Sequence, residues 1–298
     1  METIGSLIAM ARTFMDDCAD ESRKYLHNAR DIVATKELFH LIHEMMMSIN
    51  LTSDSLLILV EKNRVWDATI LLRSVIEGTA KFCYLLTAPS PDEEEARIEE
   101  FQEILPQKEM GALEQCVAAM KQSGFYHGSS VKGDVCIDPL AKVINETKTK
   151  EGESSKNKEI NKKWRFQELS KVLRNECHVW SGMADLWEYR YSMSNALVHK
   201  TDSGCGEISE RADRNPEYRR ISDLAHASSL LLANCMLFYT RFSILSNRIA
   251  GKDKTLASVI ARNICLFEAA ESVEQMFVEA YRKYEQQSSK QEELPCQE

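Results

Sequence analysis

Glycine and proline are scarce in this chain of 298 residues, with 11 and 6 copies. Sandwiches and barrels need such turn residues at short intervals, so their scarcity disfavours β-rich folds and favours long helices. No segment shows a convincing strand pattern, and no internal repeat is evident. The sequence therefore predicts an all-α fold, an antiparallel bundle of long helices.

Basic charge is also in short supply, because 37 lysines and arginines stand against 46 acidic residues and leave a net charge of −9. General binding to nucleic acid requires clustered cations that neutralise phosphates, and an acidic chain is poorly suited to it. This balance still allows a local basic pocket.

Signals for export, for membrane insertion and for disulfide pairing are missing. The nine cysteines are scattered, odd in number and without a CxxC pair, so we expect reduced thiols. The first residues lack the basic start of a secretion signal, and the most apolar run, 228–240, is too short to cross a bilayer. We expect a cytoplasmic protein with no membrane partner.

Familiar catalytic motifs are absent as well. The chain has no GxSxG turn, no Walker sequence and no dinucleotide glycine motif. His199 and Cys205 are close in sequence, but no spacing matches a zinc site. We therefore expect neither a metal nor a cofactor.

Helical periodicity predicts one domain over residues 1–286, followed by a disordered polar tail at 287–298. An insertion at 90–163 separates the two helices that carry most of the unusual polar residues. Its last part, 147–163, is low in hydrophobic residues and predicts a mobile surface linker. Residues 201–217, rich in Gly, Ser and Asp, predict a second loop.

The predicted helix 65–87 is apolar in almost every direction, which is typical of a central, buried helix. Arg73, Glu77 and Lys81 interrupt it at intervals of four residues, so they share one narrow stripe. Two interpretations stay open: an Arg73–Glu77 pair on a solvated edge, or a polar cleft inside the bundle.

The predicted helix 178–199 contains the segment WEYRYSMSNALVHK. Tyr191 and Ser194 fall on its core-facing stripe, whereas Asn195 and His199 fall on one flank. His199 could simply complement the carboxyl end of the helix, and Ser194 could bond to its own backbone. Alternatively, this helix faces helix 65–87, and Arg73 or Glu77 then lies within reach of Tyr191 or His199.

The segments LLRSVIEGTAKFCYLL and YRYSMSNALVH together resemble a bacterial all-helical family that is known only as a domain of unknown function. The matching positions are Arg73, Ser74 and Glu77, then Tyr191, Ser194 or Asn195, and His199. The resemblance covers roughly residues 40–245. That family is in turn distantly similar to HEPN domains, helical bundles that often act as metal-independent ribonucleases in toxin and phage-defence systems.

The HEPN resemblance implies a ribonuclease with His199 as general acid/base and Arg73 stabilising phosphate charge. Glu77 would orient Arg73, and Asn195 or Tyr191 would position the substrate. The HEPN hallmark places an arginine four to six residues before the histidine, but Arg190 precedes His199 by nine. Either the helix breaks within SMSN, or Arg190 is not the catalytic arginine.

A second hypothesis is a non-catalytic sensor or interaction module, in which the same polar residues bind a ligand or a partner protein. RNA and a partner protein are thus the two partner classes to consider, and the chain could form a homo-oligomer. Convergence of Arg73, Glu77 and His199 around an accessible cleft would favour the enzyme.

Overall fold

The computed structural model describes residues 4–29, 36–106, 154–199, 201–250 and 255–292, and every regular element in these ranges is helical. The prediction of an all-α fold is confirmed. The helices in these ranges are α1 (Ile4–Ala29), α2 (Lys36–Glu61), α3 (Val65–Leu86), α4 (Pro91–Glu99), α5 (Ser154–Lys163), α6 (Phe166–Glu176), α7 (His178–Ser181), α8 (Ala184–Val198), α9 (Asp202–Asp213), α10 (Pro216–Ala250), α11 (Thr255–Arg262) and α12 (Ile264–Glu292). A π-helical turn, Glu100–Ile104, follows α4 directly.

The chain divides into two compact units, residues 1–87 with 170–298, and residues 88–169. The expected insertion at 90–163 falls in the second unit, and a single domain over 1–286 stays a prediction. Within this unit the indole of Trp164 donates to Glu100 at 2.7 Å and its ring lies 5.4 Å from that of Phe101.

Two segments expected to lack regular structure are helical where the structure describes them. Residues 154–163 of the expected linker form α5, whose Ile160 is buried, and residues 147–153 lie outside the described ranges. Residues 287–292 of the expected tail continue α12, and residues 293–298 again lie outside. The mobility of both segments stays a prediction.

The first unit is built around α3, as its apolar surface predicts. Thirteen of the 22 residues of α3 are buried, and this helix packs against α2, α8 and α10. The long helix α10 also contacts α1 and α12. Both helices are surrounded by other helices, so most of the core of this unit lies along them.

By length and composition, α10 is the one helix in the described ranges that could cross a membrane. Its most apolar window extends beyond the short run recognised in the sequence, and 56% of that window is buried inside the fold. Its burial by α1, α3 and α12 is the pattern of a core helix.

One charged side chain lies inside this core. Arg241 of α10 is 1% exposed and donates to Thr79 Oγ1 at 2.7 Å and to Asn50 Oδ1 at 3.2 Å. Its guanidinium also lies 4.4 Å from the ring centroid of Phe238. Burial lowers the pKa of Arg241 to about 10, so the group keeps its charge at neutral pH and joins α10 to α3 and α2.

The prediction of a loop over 201–217 is wrong, because residues 202–213 form α9. The hydroxyl of Thr201 caps the helix by accepting from the Gly204 amide at 3.4 Å. A Cβ atom at Gly204 would lie 2.6 Å from the Ala196 carbonyl oxygen, so glycine allows α9 to approach α8 closely. Glycine here serves helix packing, a role that composition alone could not distinguish from a turn.

Two other helices are shorter than their patterns predict. The expected helix 178–199 is interrupted at Gly182 and Met183, between α7 and α8. Helical periodicity also predicts one helix over 254–286, but the chain is interrupted at Asn263, between α11 and α12. The Asn263 side chain donates to Asp17 at 2.8 Å and to the Val259 carbonyl at 2.9 Å. Such local hydrogen bonds compete with a continuous helix.

Candidate functional site

The two helices that carry the polar motifs are antiparallel neighbours. Ser194 of α8 contacts Thr69 of α3, and Tyr191 contacts Arg73, so the position along one helix rises as the other falls. Arg73 Nη2 donates to the Tyr191 hydroxyl at 3.2 Å, and its guanidinium lies 5.0 Å from the tyrosine ring centroid. The prediction that Arg73 reaches Tyr191 is confirmed.

Ser194 is fully buried where α8 crosses α3. Its hydroxyl oxygen lies 2.8 Å from the carbonyl of Thr69 and 2.8 Å from the carbonyl of Arg190. The first contact joins the two helices, and the second is the bond to its own helix that the sequence allows. A hydroxyl on this face therefore holds α8 against α3.

Replacing Ser194 with alanine should lower the free energy of unfolding by about 1 kcal/mol, the net value of one buried hydrogen bond. The matched control is Ser192→Ala, on the exposed side of the same helix. Both variants gain the same helix propensity, but only Ser194→Ala loses the contact with Thr69. Urea unfolding of the two variants checks this, and equal stabilities would contradict the role assigned to Ser194.

The other sequence-predicted residues do not join Arg73 and Tyr191. Glu77 pairs with Lys81 at 3.6 Å, so the alternative of an Arg73–Glu77 pair is wrong. Asn195 is half-buried on α8, and His199 is exposed at the C-cap of that helix.

The distance from Tyr191 to His199 follows from helix geometry. Because α8 is continuous, eight residues at about 1.5 Å each place His199 about 12 Å along the axis from Tyr191. Since α3 runs antiparallel, Arg73 lies beside Tyr191 and Glu77 lies one turn farther from His199. The structure thus does not bring Arg73, Glu77 and His199 together into one site.

Continuity of α8 also settles the position of Arg190. The helix does not break within SMSN, so Arg190 and His199 project from different sides of it. Arg190 lines a cavity of about 550 Å³ instead. This cavity, which we call the arginine cavity, is lined by residues of α3, α8, α9, α10 and α12 together with Arg214, which follows α9.

Arg190 is a half-buried cation at the wall of the arginine cavity. Its guanidinium contacts the Ser229 hydroxyl and lies 6.0 Å from the ring centroid of Tyr189. Its Nε atom is buried and has no hydrogen-bond partner, and no carboxylate among the described residues lies within 4.0 Å of the side chain. Burial lowers the pKa of Arg190.

Two further arginines line the same cavity and have acidic partners. Arg211 pairs with Asp223, and both are largely buried. Arg214 pairs with Glu210 at 2.7 Å and donates to the Ser222 hydroxyl at 3.1 Å. Because Glu210 is 66% exposed, solvent weakens its attraction for Arg214.

A histidine and a tryptophan form the adjoining wall. His226 Nε2 lies 3.0 Å from Thr69 Oγ1, which also lies 2.8 Å from the Val65 carbonyl oxygen. Trp66 packs edge-on to His226 at 4.8 Å between ring centroids, and its indole nitrogen is buried without a partner.

His226 is held in its neutral form. Burial lowers the pKa of His226 to about 4, the charges of Arg190 and Arg211 lower it further, and that of Asp223 opposes them. At neutral pH this histidine is therefore a polar, uncharged neighbour of the cavity arginines. Its bond to Thr69 also connects the cavity to the α3–α8 contact through Ser194.

Sequence reasoning named none of these cavity residues as a site. One usable signal was present, since Asp223, His226 and Ser229 recur every third residue on one face of α10. Another was Arg190, which was noticed only as an argument against the ribonuclease. Among the described residues, no group of three His, Cys, Asp or Glu side chains could hold a metal ion.

Comparison with known proteins identifies one family and gives nothing on activity. Residues 39–215 match a family that is described as "Family of unknown function (DUF5677)". The matched part contributes Trp66 and the three cavity arginines, whereas α10 and α12 follow it. No curated protein and no solved structure matches the chain. Since the match covers more than half of its length, the chain belongs to the DUF5677 family of unknown function.

Proposed function

We propose that this protein is a non-catalytic binding module whose arginine cavity takes a small organic anion. The observation that carries this proposal is Arg190, a half-buried cation that lines a cavity of about 550 Å³ and has no carboxylate within 4.0 Å among the described residues. Cavities of roughly 300–1,000 Å³ with a few polar groups are typical small-ligand sites.

The charge of Arg190 gives the site its preference. Removing a cation from water is costly unless an anion or several hydrogen bonds compensate it, and the Nε of Arg190 lacks even a neutral partner. A bound carboxylate or phosphate would supply both the charge and the acceptors, in the paired geometry that guanidinium groups favour. The overall charge of the chain allows such a local cation, although Asp223, Glu271 and Glu274 line the same cavity.

The ribonuclease hypothesis has less support from the geometry. It required His199 as general acid/base beside Arg73, but these residues are separated by about two turns of α8. His199 instead ends a helix, where a histidine interacts favourably with the helix dipole. The ligand-binding alternative does not depend on His199. It places the ligand in the arginine cavity, next to the polar residues of α3 and α8 that the sequence singled out and not among them.

Arg190→Met should weaken binding of small anions by about 30-fold or more, because a buried anion then loses its charge partner. The test is isothermal titration with benzoate, phenyl phosphate and inorganic phosphate. Arg190→Lys keeps the charge without the planar fork and should retain part of the affinity. The control is Arg23→Gln, since Arg23 of α1 is 73% exposed and pairs with Asp20 on the surface.

Two results would overturn the proposal. One is anion binding that Arg190→Met and Arg23→Gln reduce equally, which would indicate general surface attraction. The other is cleavage of RNA by the wild-type protein with loss of cleavage in His199→Ala, which would restore the ribonuclease. Circular dichroism of each variant establishes that it is folded.

A further inference from the structure

We infer that the anionic group in the arginine cavity is the carboxylate of an amino acid, a zwitterion that also carries an ammonium group on an apolar body. This inference rests on the proposed function and deepens it by naming the ligand class. Its basis is a cavity lined by apolar side chains and by charges of both signs that have no ion-pair partner within 4.0 Å among the described residues.

Positive and negative side chains are balanced around the cavity. Among the described residues, three arginines and three carboxylates line it. Arg211 and Asp223 pair with each other, and Arg214 pairs with Glu210. These pairs are internal to the protein, and the cation that they leave for a ligand is Arg190.

The negative wall of the cavity is formed by Glu271 and Glu274 of α12. These residues are one turn apart, so both carboxylates project from the same face of the helix, and both are exposed. Neither has a cationic side chain within 4.0 Å among the described residues. A primary ammonium has three N–H donors and therefore suits two neighbouring carboxylates.

The two walls together select against ligands of a single charge. Glu271 and Glu274 offset part of the attraction of Arg190 for a simple anion, and Arg190 in turn repels a simple cation. A ligand with one carboxylate and one ammonium interacts favourably with both walls. Because the two glutamates are exposed, water screens their attraction, and the carboxylate at half-buried Arg190 contributes the larger share of the affinity.

The rest of the lining favours an apolar ligand body. Four apolar side chains from three helices line the cavity and are only half-buried, namely Met193, Leu232, Phe267 and Phe277. Apolar surface therefore remains for a ligand to cover, which is favourable in proportion to the area removed from water. Met193 lies one turn from Arg190 on α8, so a ligand held by its carboxylate at Arg190 has apolar surface beside it.

Isothermal titration of the full chain tests the inference with phenylalanine, leucine and 6-aminohexanoate. The first two carry both charges on one carbon atom, whereas the third separates them by a chain of methylene groups. Each is compared with the matching acid that lacks the ammonium, namely 3-phenylpropionate, 4-methylpentanoate or hexanoate. Each is also compared with the matching amine that lacks the carboxylate, namely phenethylamine, 3-methylbutylamine or pentylamine. At least one amino acid should bind about fivefold more tightly than its acid and about 30-fold more tightly than its amine.

Replacing Glu271 and Glu274 together by glutamine removes the negative wall and keeps its shape. The variant Glu271→Gln with Glu274→Gln should weaken the preferred amino acid about fivefold, and its matching acid should bind at least as tightly as to the wild type. The matched control is Glu268→Gln with Glu279→Gln, since both residues are exposed on the same helix and lie outside the cavity lining. This control changes the net charge equally and should leave both ligands unchanged. Arg190→Met should weaken the amino acid and its acid alike, by about 30-fold.

Failure of the inference and failure of the proposed function give different titrations. If every amino acid binds no more tightly than its matching acid while Arg190→Met still weakens the binding of an anion, the inference fails and the proposed function stands. The inference also fails if the control pair weakens the amino acid as much as the cavity pair does. If no anion and no amino acid binds, or if Arg190→Met leaves all binding unchanged, both fail. Circular dichroism establishes that each variant is folded.

Discussion

Truncation of Trp187 to alanine is expected to lower the free energy of unfolding by about 3–5 kcal/mol. Trp187 is fully buried on α8, and its ring lies 6.4 Å from that of Trp180, which is also fully buried. Removal of the indole leaves a cavity between α7 and α8 that the surrounding helices can fill only in part. Urea unfolding followed by circular dichroism measures the loss.

Trp187→Phe separates the effect of volume from that of the indole nitrogen. That nitrogen is buried without a partner, so its removal relieves an unmet donor worth roughly 1–3 kcal/mol while most of the ring volume remains. The phenylalanine variant should therefore be much more stable than the alanine variant. The control is Tyr189→Ala, since Tyr189 is 59% exposed on the same helix and its loss should cost below about 1 kcal/mol. Equal losses in Trp187→Ala and Tyr189→Ala would refute the assignment of Trp187 to the core.

Acidification is expected to destabilise the fold through His226 by about 3 kcal/mol between pH 6.5 and pH 4. The pKa of His226 is lowered from 6.5 to about 4 in the folded protein, first by burial and then by Arg190 and Arg211. In this window the unfolded chain binds a proton that the folded chain does not accept. Stability from the neutral imidazole is therefore complete above pH 6.5, falls as the pH decreases, and is fully lost below about pH 4.

The measurement is the difference in unfolding free energy between wild type and His226→Gln at several pH values. Glutamine can still donate to Thr69 but does not titrate, so the wild type should lose about 3 kcal/mol relative to the variant on going from pH 7 to pH 4. Ser229 lines the same cavity, and its replacement by alanine removes no titrating group. The plot of unfolding free energy against pH for Ser229→Ala should therefore run parallel to that of the wild type. Parallel curves for wild type and His226→Gln would show that the imidazole is not held neutral.

A bound anion should raise the pKa of His226 and so oppose the effect of Arg190 on its protonation. The pKa of His226 is lowered partly by Arg190, and an anion at Arg190 would offset that positive charge. The prediction for His226 therefore applies to the protein without ligand. Its two charged neighbours of opposite sign, Arg211 and Asp223, are already paired with each other.

Some errors of sequence reasoning have clear physical causes. The glycines and serines of residues 202–213 are typical of a loop, yet Thr201 caps a helix there and Gly204 packs against Ala196. In the same way, the apolar stripe predicted one helix through Gly182, but the chain breaks there into α7 and α8. Propensity is a weak guide wherever a tertiary contact stabilises another conformation.

The sequence by itself determined the helical class and the central position of α3, because helical periodicity shows which side chains share a buried face. It offered the contact of Arg73 with Tyr191 as one of several alternatives, and the structure selected that one. Only the tertiary structure decided that His199 lies apart from Arg73 and that Arg190 faces a cavity with Trp66 and His226. The physical reason is that the cavity exists only between helices. Its walls come from residues more than a hundred positions apart, and no local pattern records which helix faces will meet.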